Sequence, residues 1–240
     1  MDNRLRNFLG KPIYFNEFPI YSPTINEICE IGEIQYNIYL AASTFNVEAI
    51  FKHVLGLDDE IFEKLSDMNE YDLFISFDLT RELLIEAFSF FTKEKVKYDD
   101  LFSIFKIDEK VFVSKHNYES IAKIIKEQNG ITEEDDVKKQ KFLNEKARQL
   151  YLKRKKLREQ LRKKNSDNTL SLKDMLSVLC NAEGNGINVF NVGQLTIYQV
   201  YEHFERLNIK ENHMRVLRIW ANGYLKEGQN LPEWIVNGKL

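Results

Sequence analysis

Two cysteines, four prolines and ten glycines are few for 240 residues. So little proline and glycine excludes a linker-like or collagenous chain. Cys29 and Cys180 lie far apart in the sequence. One disulfide is open to them, and a reduced intracellular chain is the simpler reading. No run of 18 uncharged apolar residues occurs, which excludes a transmembrane helix on this criterion. The opening MDNRLRNFLGKPIYF has two arginines but no long apolar stretch behind them, so it does not read as a secretory signal.

Catalytic and metal-binding signatures are also scarce. The four histidines, His53, His116, His203 and His213, form no His-x-x-x-His pair, and neither cysteine belongs to a Cys-x-x-Cys pair. No glycine-rich phosphate loop is present. Asp58-Asp59, Asp99-Asp100 and Asp135-Asp136 read as solvated caps and turns before they read as metal ligands. Cys180 and His203 suggest thiol chemistry only if folding joins them, and a buried thiol beside an unrelated histidine is the plainer reading. The expectation is a protein that is not an enzyme and needs no cofactor or metal.

What the chain does have is aromatic core material, 17 Phe and 11 Tyr, and a divided charge. Residues 1–136 hold 27 acidic and 14 basic side chains (net −13), residues 137–164 hold 2 and 13 (net +11), and residues 165–240 hold 8 and 7 (net −1). The central block can attract an acidic surface, with strong salt dependence. That surface is its own N-terminal region, another protein or nucleic acid. The partition predicts an acidic mixed helix/strand domain over 1–133, a basic amphipathic connector helix over 134–165 and a helical region over 166–240. The fold class is α+β, predominantly helical.

Within the first region, Pro12–Phe15 and Phe18–Tyr21 read as short strands or extended packing segments. Either Ser22 caps a helix with Pro23 at its first position, or Thr24 caps it with Glu27 closing a capping box. Gly32 breaks that helix or marks a close backbone contact. Phe45–Gly56 reads as a helix ending at glycine. Tyr71–Phe77 fits a strand or a helix start. Asp78 or Thr80 caps a helix over 81–91 with Leu83, Leu84, Ala87, Phe88 and Phe91 on its apolar face. Leu101–Phe105 and Val111–Val113 read as a hairpin with a five-residue loop. A helix from Asn117 ends at Asn129-Gly130.

In the connector, Leu143, Ala147, Leu150, Leu157 and Leu161 recur at helical spacing, with Arg154 at the intervening heptad position. The helix packs on its own protein, on a neighbouring subunit, or on a second copy. Lys153, Arg154, Lys155, Lys156 and Arg158 could contact nucleic acid or an acidic partner. No base-reading motif accompanies them, and membrane attachment is not expected. Farther on, Ser171 caps a helix with Asp174 three residues later. Gly184-Asn185-Gly186 makes a turn, Thr196 or Asn191 opens a helix through Leu207, and a separate helix spans 211–221. Trp234 implies that the tail is tied down or serves as a partner anchor.

Lys11–Phe15, Tyr21–Ile28, Gly32–Tyr39, Leu195–Phe204 and Pro232-Glu233-Trp234 together resemble tail-assembly chaperones and uncharacterised proteins of phages infecting low-GC Gram-positive bacteria. These pieces cover about a seventh of the chain. The resemblance implies transient binding of tape-measure or tube protein in the host cytoplasm. A structural role in the tail or baseplate, within the virion, is the nearby alternative. A nucleic-acid-binding or host-takeover protein using the basic helix is the different one. Tyr198, Tyr201, Phe204, Trp220 and Trp234 are the candidate protein contacts, each also a candidate core residue, and a homo-oligomer is open.

Overall fold

The computed structural model of the protein describes residues 3–58, 62, 65, 68–131, 170–224, 230–236 and 238. The predicted connector helix and its five candidate basic contacts lie outside these residues. So do Asp59, Asp135 and Asp136. The described chain is mixed α/β in its N-terminal part and largely helical in its C-terminal part.

A short helix α1 (Asn3–Phe8) leads into a hairpin of β1 (Ile13–Phe15) and β2 (Phe18–Ile20). Asn16 turns the hairpin at a φ of 53°, a conformation asparagine tolerates better than most residues. Thr24, not Ser22, caps α2 (Ile25–Ile31), and its capping box with Glu27 is complete. Gly32 (φ 87°) separates α2 from α3 (Glu33–Ser43). A Cβ there would meet open space, so Gly32 serves the break and no close contact. The helix expected from Phe45 begins later, as a π-helical turn at Glu48–Val54, and Phe45 itself sits at a φ of 54°.

Tyr71–Phe77 resolves as helix. Asn69 caps α4 (Glu70–Ile75) by accepting from the Tyr71 and Asp72 amides. For α5 (Asp78–Thr92) neither Asp78 nor Thr80 is the cap. Phe77 holds that position, and Thr80 lies inside the helix with its hydroxyl bonded to the Phe74 and Phe77 carbonyls.

A second, antiparallel sheet has the order β3 (Val96–Asp99), β4 (Ile104–Ile107), β5 (Lys110–Val113). The predicted five-residue loop is a two-residue turn, Asp108-Glu109, both at positive φ (46° and 64°). That geometry matches the strand twist better than a longer loop. Leu101 and Phe102 are in the exposed β3–β4 turn and not in a strand. β3 was not predicted because its four residues are too short and too polar to register as a pattern. Then α6 (Tyr118–Gln128) ends at Asn129 and Gly130.

Aromatic rings fill the centre. Phe45 packs on Tyr118, Phe74, Tyr71 and Phe88 with centroids 4.9, 5.2, 5.9 and 6.2 Å away. Phe88 continues the chain to Phe105 and Phe112. Each such pair contributes roughly 0.5–1.5 kcal/mol beyond the area it buries. The Tyr36 hydroxyl donates to Asn129 Oδ1 at 2.9 Å across this interior, joining α3 to the end of α6.

The C-terminal segment adds α7 (Leu172–Asn181), capped by Ser171, and α8 (Ile197–Ala221). Leu179, Ile187, Val192, Ile197 and Val200 belong to the same hydrophobic cluster as the N-terminal residues. The seam is an antiparallel bridge between Thr24 and Thr196. There the Ile25 amide donates to Leu195 O and the Ile197 amide to Pro23 O, both at 2.9 Å. Both threonines are helix caps with complete capping boxes, so α2 and α8 start back to back from one bridge.

Glu27 ties this corner to α5. Its carboxylate accepts from the Thr24 amide at 2.7 Å and from Lys93 Nζ at 2.5 Å. Burial opposes the Glu27 charge, but the Lys93 and Thr24 hydrogen bonds outweigh it and hold the carboxyl below 4.5. The folded form therefore binds this proton less tightly than the unfolded chain. The stability it contributes is complete above the unfolded value and is lost as pH falls through the folded one. Glu27→Gln keeps a capping-box residue and removes the ion pair. It is expected to flatten the acid limb of stability, read by urea unfolding at a series of pH values; an unchanged limb would reject the assignment.

Candidate interaction surface

α8 is one continuous helix of 25 residues, where the sequence suggested two. At about 100° per residue, Ile197, Val200, Tyr201, Phe204 and Leu207 share one side, and these pack on the core. Glu202, Arg206, Ile209, His213, Val216 and Trp220 fall within one stripe on roughly the opposite side. The apolar face thus changes sides midway, which reads in sequence as an interruption although no glycine or proline intervenes.

The second stripe is met by the C-terminal strap, residues 231–236 and 238. The guanidinium of Arg206 donates through Nη1 to the Val236 carbonyl at 2.5 Å, and through Nε to Glu202 Oε1 at 2.9 Å. His213 Nδ1 donates to the Pro232 carbonyl, which fixes that nitrogen as the protonated one. Pro232 lies at His213 and Val236 at Arg206, so the strap runs antiparallel to the helix. Gly238 fits against the Arg206–Glu202 pair, where a Cβ would come within 2.8 Å of Arg206 Nη2. Over residues 208–221 the half-buried side chains are Ile209, His213, Val216 and Leu217, and the rest are exposed.

The candidate contacts separate cleanly. Tyr198 is a core residue, 4% exposed. Tyr201 and Phe204 are partly buried and pack against the core. Tyr201 rests on Gly130, where an added Cβ would approach its Cδ2 to 2.7 Å. Trp220 (58%) and Trp234 (51%) remain in water, one on the stripe and one on the strap. Met214, Ile219 and Ala221 are exposed as well. Among the described residues the tail meets α8 through the Pro232 and Val236 carbonyls.

Sequence reading missed Phe190 (92% exposed) beside Val189 at a loop tip, and Leu5, Phe8 and Leu9 around α1. Nothing in their pattern distinguishes them from core residues. The seven-residue spacing of Arg206 and His213 was visible, but not that a tail returns to them.

The polar chemistry found elsewhere is structural. Asp99 accepts from the Leu101 and Phe102 amides and from Lys106 Nζ at 2.6 Å, which makes it a turn residue. Asp99 and Lys106 line an open depression of about 310 Å³ with Lys97, Tyr98, Asp108 and Glu109. The hydrogen bond between Lys106 and Asp99 holds the Asp99 carboxyl below its ordinary value and the Lys106 ammonium above its own. Burial pushes the Tyr36, Tyr71 and Tyr201 hydroxyls up, and that of Tyr118 to about 12, so none offers a phenolate near neutral pH. His203 faces Phe8, with ring centroids 6.2 Å apart, while Cys180 packs against the core. Both thiols are free. Among the described residues no group of three or more His, Cys, Asp or Glu is placed to hold a metal, and no helix is long and apolar enough to cross a membrane.

No curated protein and no solved structure matches the chain. Residues 162–239, which contain α7, α8 and the strap, are similar to the family described as the YomV second domain.

Proposed function

We propose that this chain acts by binding protein, in the assembly of a phage tail, with tape-measure or tube protein as its client in the host cytoplasm. The observation that carries the binding reading is the pair Trp220 and Trp234, each more than half exposed on α8 and the strap laid along it. Large aromatic side chains left in water carry much of the energy of protein interfaces when a partner desolvates them. The phage setting rests on the resemblance of short segments at the two ends of the chain. A place in the finished tail or baseplate is the structural form of the same reading. One sequence observation favours non-specific nucleic-acid binding as a second reading, the net charge of +11 over residues 137–164.

Co-purification of tagged chain from phage-infected cells tests these together. Recovery of tape-measure or tube protein, with the chain absent from finished particles, is the expected result. Stable presence in purified tails supports the structural form. Salt-sensitive retention on nucleic acid, without phage protein, would replace both. Trp220→Ala with Trp234→Ala is expected to lower client recovery about tenfold or more, since two interface aromatics each contribute ~1–2 kcal/mol or more.

A further inference from the structure

α1 is packed inside out. At about 100° per residue, Asn3 and Asn7 fall on one side of it and Leu5, Phe8 and Leu9 on the other, with the Leu9 amide still bonded to Leu5 O. A helix packed on a core normally turns its apolar side inward. Here Asn7 is 2% exposed, while Leu5, Phe8 and Leu9 are 57%, 46% and 56% exposed. The Asn7 Oδ1 meets no hydrogen-bond donor among the described residues, so this orientation buries a polar atom at a cost in stability. Polar contacts hold the helix this way round. Asn3 Nδ2 donates to Glu127 Oε2 at 3.1 Å, and Gln199 Nε2 donates to the Phe8 carbonyl at 2.9 Å. Hiding asparagine and showing leucine becomes favourable once something apolar covers the leucines.

The surroundings of that face indicate what covers it. Residues 3–16 contain Arg4, Arg6 and Lys11 and no Asp or Glu, within a region whose net charge is −13. Arg6 lies over the ring of Tyr14, 5.5 Å from its centroid, and Tyr14 is itself 54% exposed beside α1. Cations and a tyrosine around leucine and phenylalanine are the pattern of a helix lying in a membrane interface. The apolar groups enter the acyl boundary while the cations and the tyrosine stay at headgroup level. Area points the same way. Leu5, Phe8 and Leu9 expose on the order of 300 Å², well short of the ~800 Å² per partner that a stable protein interface buries. Attachment to a bilayer needs no fitted counter-surface. It grows with the apolar area inserted and with the number of cations near anionic headgroups.

We propose that α1 attaches the protein reversibly to an anionic lipid surface, with Leu5, Phe8 and Leu9 entering the acyl boundary and Arg4, Arg6 and Lys11 held among the headgroups. The contact is peripheral. It uses none of the residues assigned to the client, so it is tested independently of client binding.

The full chain is tested by co-sedimentation with vesicles of phosphatidylcholine alone and of phosphatidylcholine with phosphatidylglycerol. Binding to the mixed vesicles, weaker binding to the neutral ones, and release by salt are expected. The block over residues 137–164, with its net charge of +11, also attracts anionic surfaces, so the variants carry the decision. Leu5→Ser with Leu9→Ser is expected to lower partition to the mixed vesicles about tenfold or more, and Lys11→Gln about fivefold. Phe190→Ser, at an exposed apolar residue of another loop, is expected to change nothing. Urea unfolding is expected to find the leucine pair close to wild type, since both side chains already face water; where the pair does unfold, each leucine is changed to glutamine singly. No binding to the mixed vesicles would overturn the proposal. So would binding that the leucine pair leaves unchanged, which belongs to the basic block, and an equal loss with Phe190→Ser. A tail protein recovered from infected cells by the wild-type chain and lost with the leucine pair, without vesicle binding, would make this face a protein interface instead.

Discussion

Replacing Phe45 with alanine is expected to destabilise the protein by about 3–5 kcal/mol, a large share of the total for a chain of this size. Phe45 is 2% exposed and touches four other aromatic rings. Its truncation leaves a cavity between α4, α5 and α6 that rigid ring neighbours cannot close. The position has a second property that makes the prediction sharper. Phe45 has a φ of 54°, a left-handed conformation that is unfavourable for any residue with a Cβ by about 1–2 kcal/mol. Glycine relieves that strain. Phe45→Gly is therefore expected to be no less stable than Phe45→Ala, reversing the usual order of those two residues. Chemical unfolding of both variants measures it. A Phe45→Gly chain clearly weaker than Phe45→Ala would show that the backbone at this joint is not held as described.

Gly130→Ala is the second large effect, at about 2–4 kcal/mol. Two independent causes add. Gly130 has a φ of 70°, so any side chain is strained there, and its Cβ would meet the ring of Tyr201 at 2.7 Å. That ring is half-buried on α8 and cannot swing away without opening the contact between the C-terminal segment and the end of α6. Combining the two substitutions separates the causes. Tyr201→Ala in the Gly130→Ala background should recover the steric part and leave the backbone part, so the double variant should be less destabilised than the sum of the singles. Strict additivity in thermal or urea unfolding would mean that Gly130 and Tyr201 do not touch.

Much of the local structure was legible because it depends on side chains close in sequence. Thr24 with Glu27, Ser171 with Asp174, and Thr196 with its following turn announce helix starts, since a cap satisfies amides two or three residues away. Asn129-Gly130 and Asn222-Gly223 announce helix ends for the same reason. Two corrections are local, the α5 cap at Phe77 and the two-residue turn Asp108-Glu109, and in the others a distant contact decides. Tyr71–Phe77 fits strand and helix alike until its rings meet Phe45 and Phe105. α8 reads as two helices because its first half is packed from one side and its second half from the other. Among the candidate contacts, Tyr198 and Trp220 are alike as residues on a helix, and only the packing of the N-terminal region over one of them makes it core.

The charge partition shows the same division. Composition alone establishes a net of +11 over residues 137–164, and no fold is needed to know that this stretch attracts anionic surfaces. Whether compositional boundaries coincide with packing boundaries is a different matter. Leu179, Ile197 and Val200 share a core with Phe45 and Phe88 although a strongly basic segment separates them in the chain. The sequence by itself determined the Ser171 cap, the helix ends at Asn129-Gly130 and Asn222-Gly223, the mixed α/β class and the stock of aromatic rings, because each is an interaction over a few residues or a sum over all of them. The tertiary structure alone decided that two capping threonines pair at one seam, that the tail returns to Arg206 and His213, and that two tryptophans stay in water. Those contacts join residues far apart along the chain, where the closure of long loops leaves no local pattern to read.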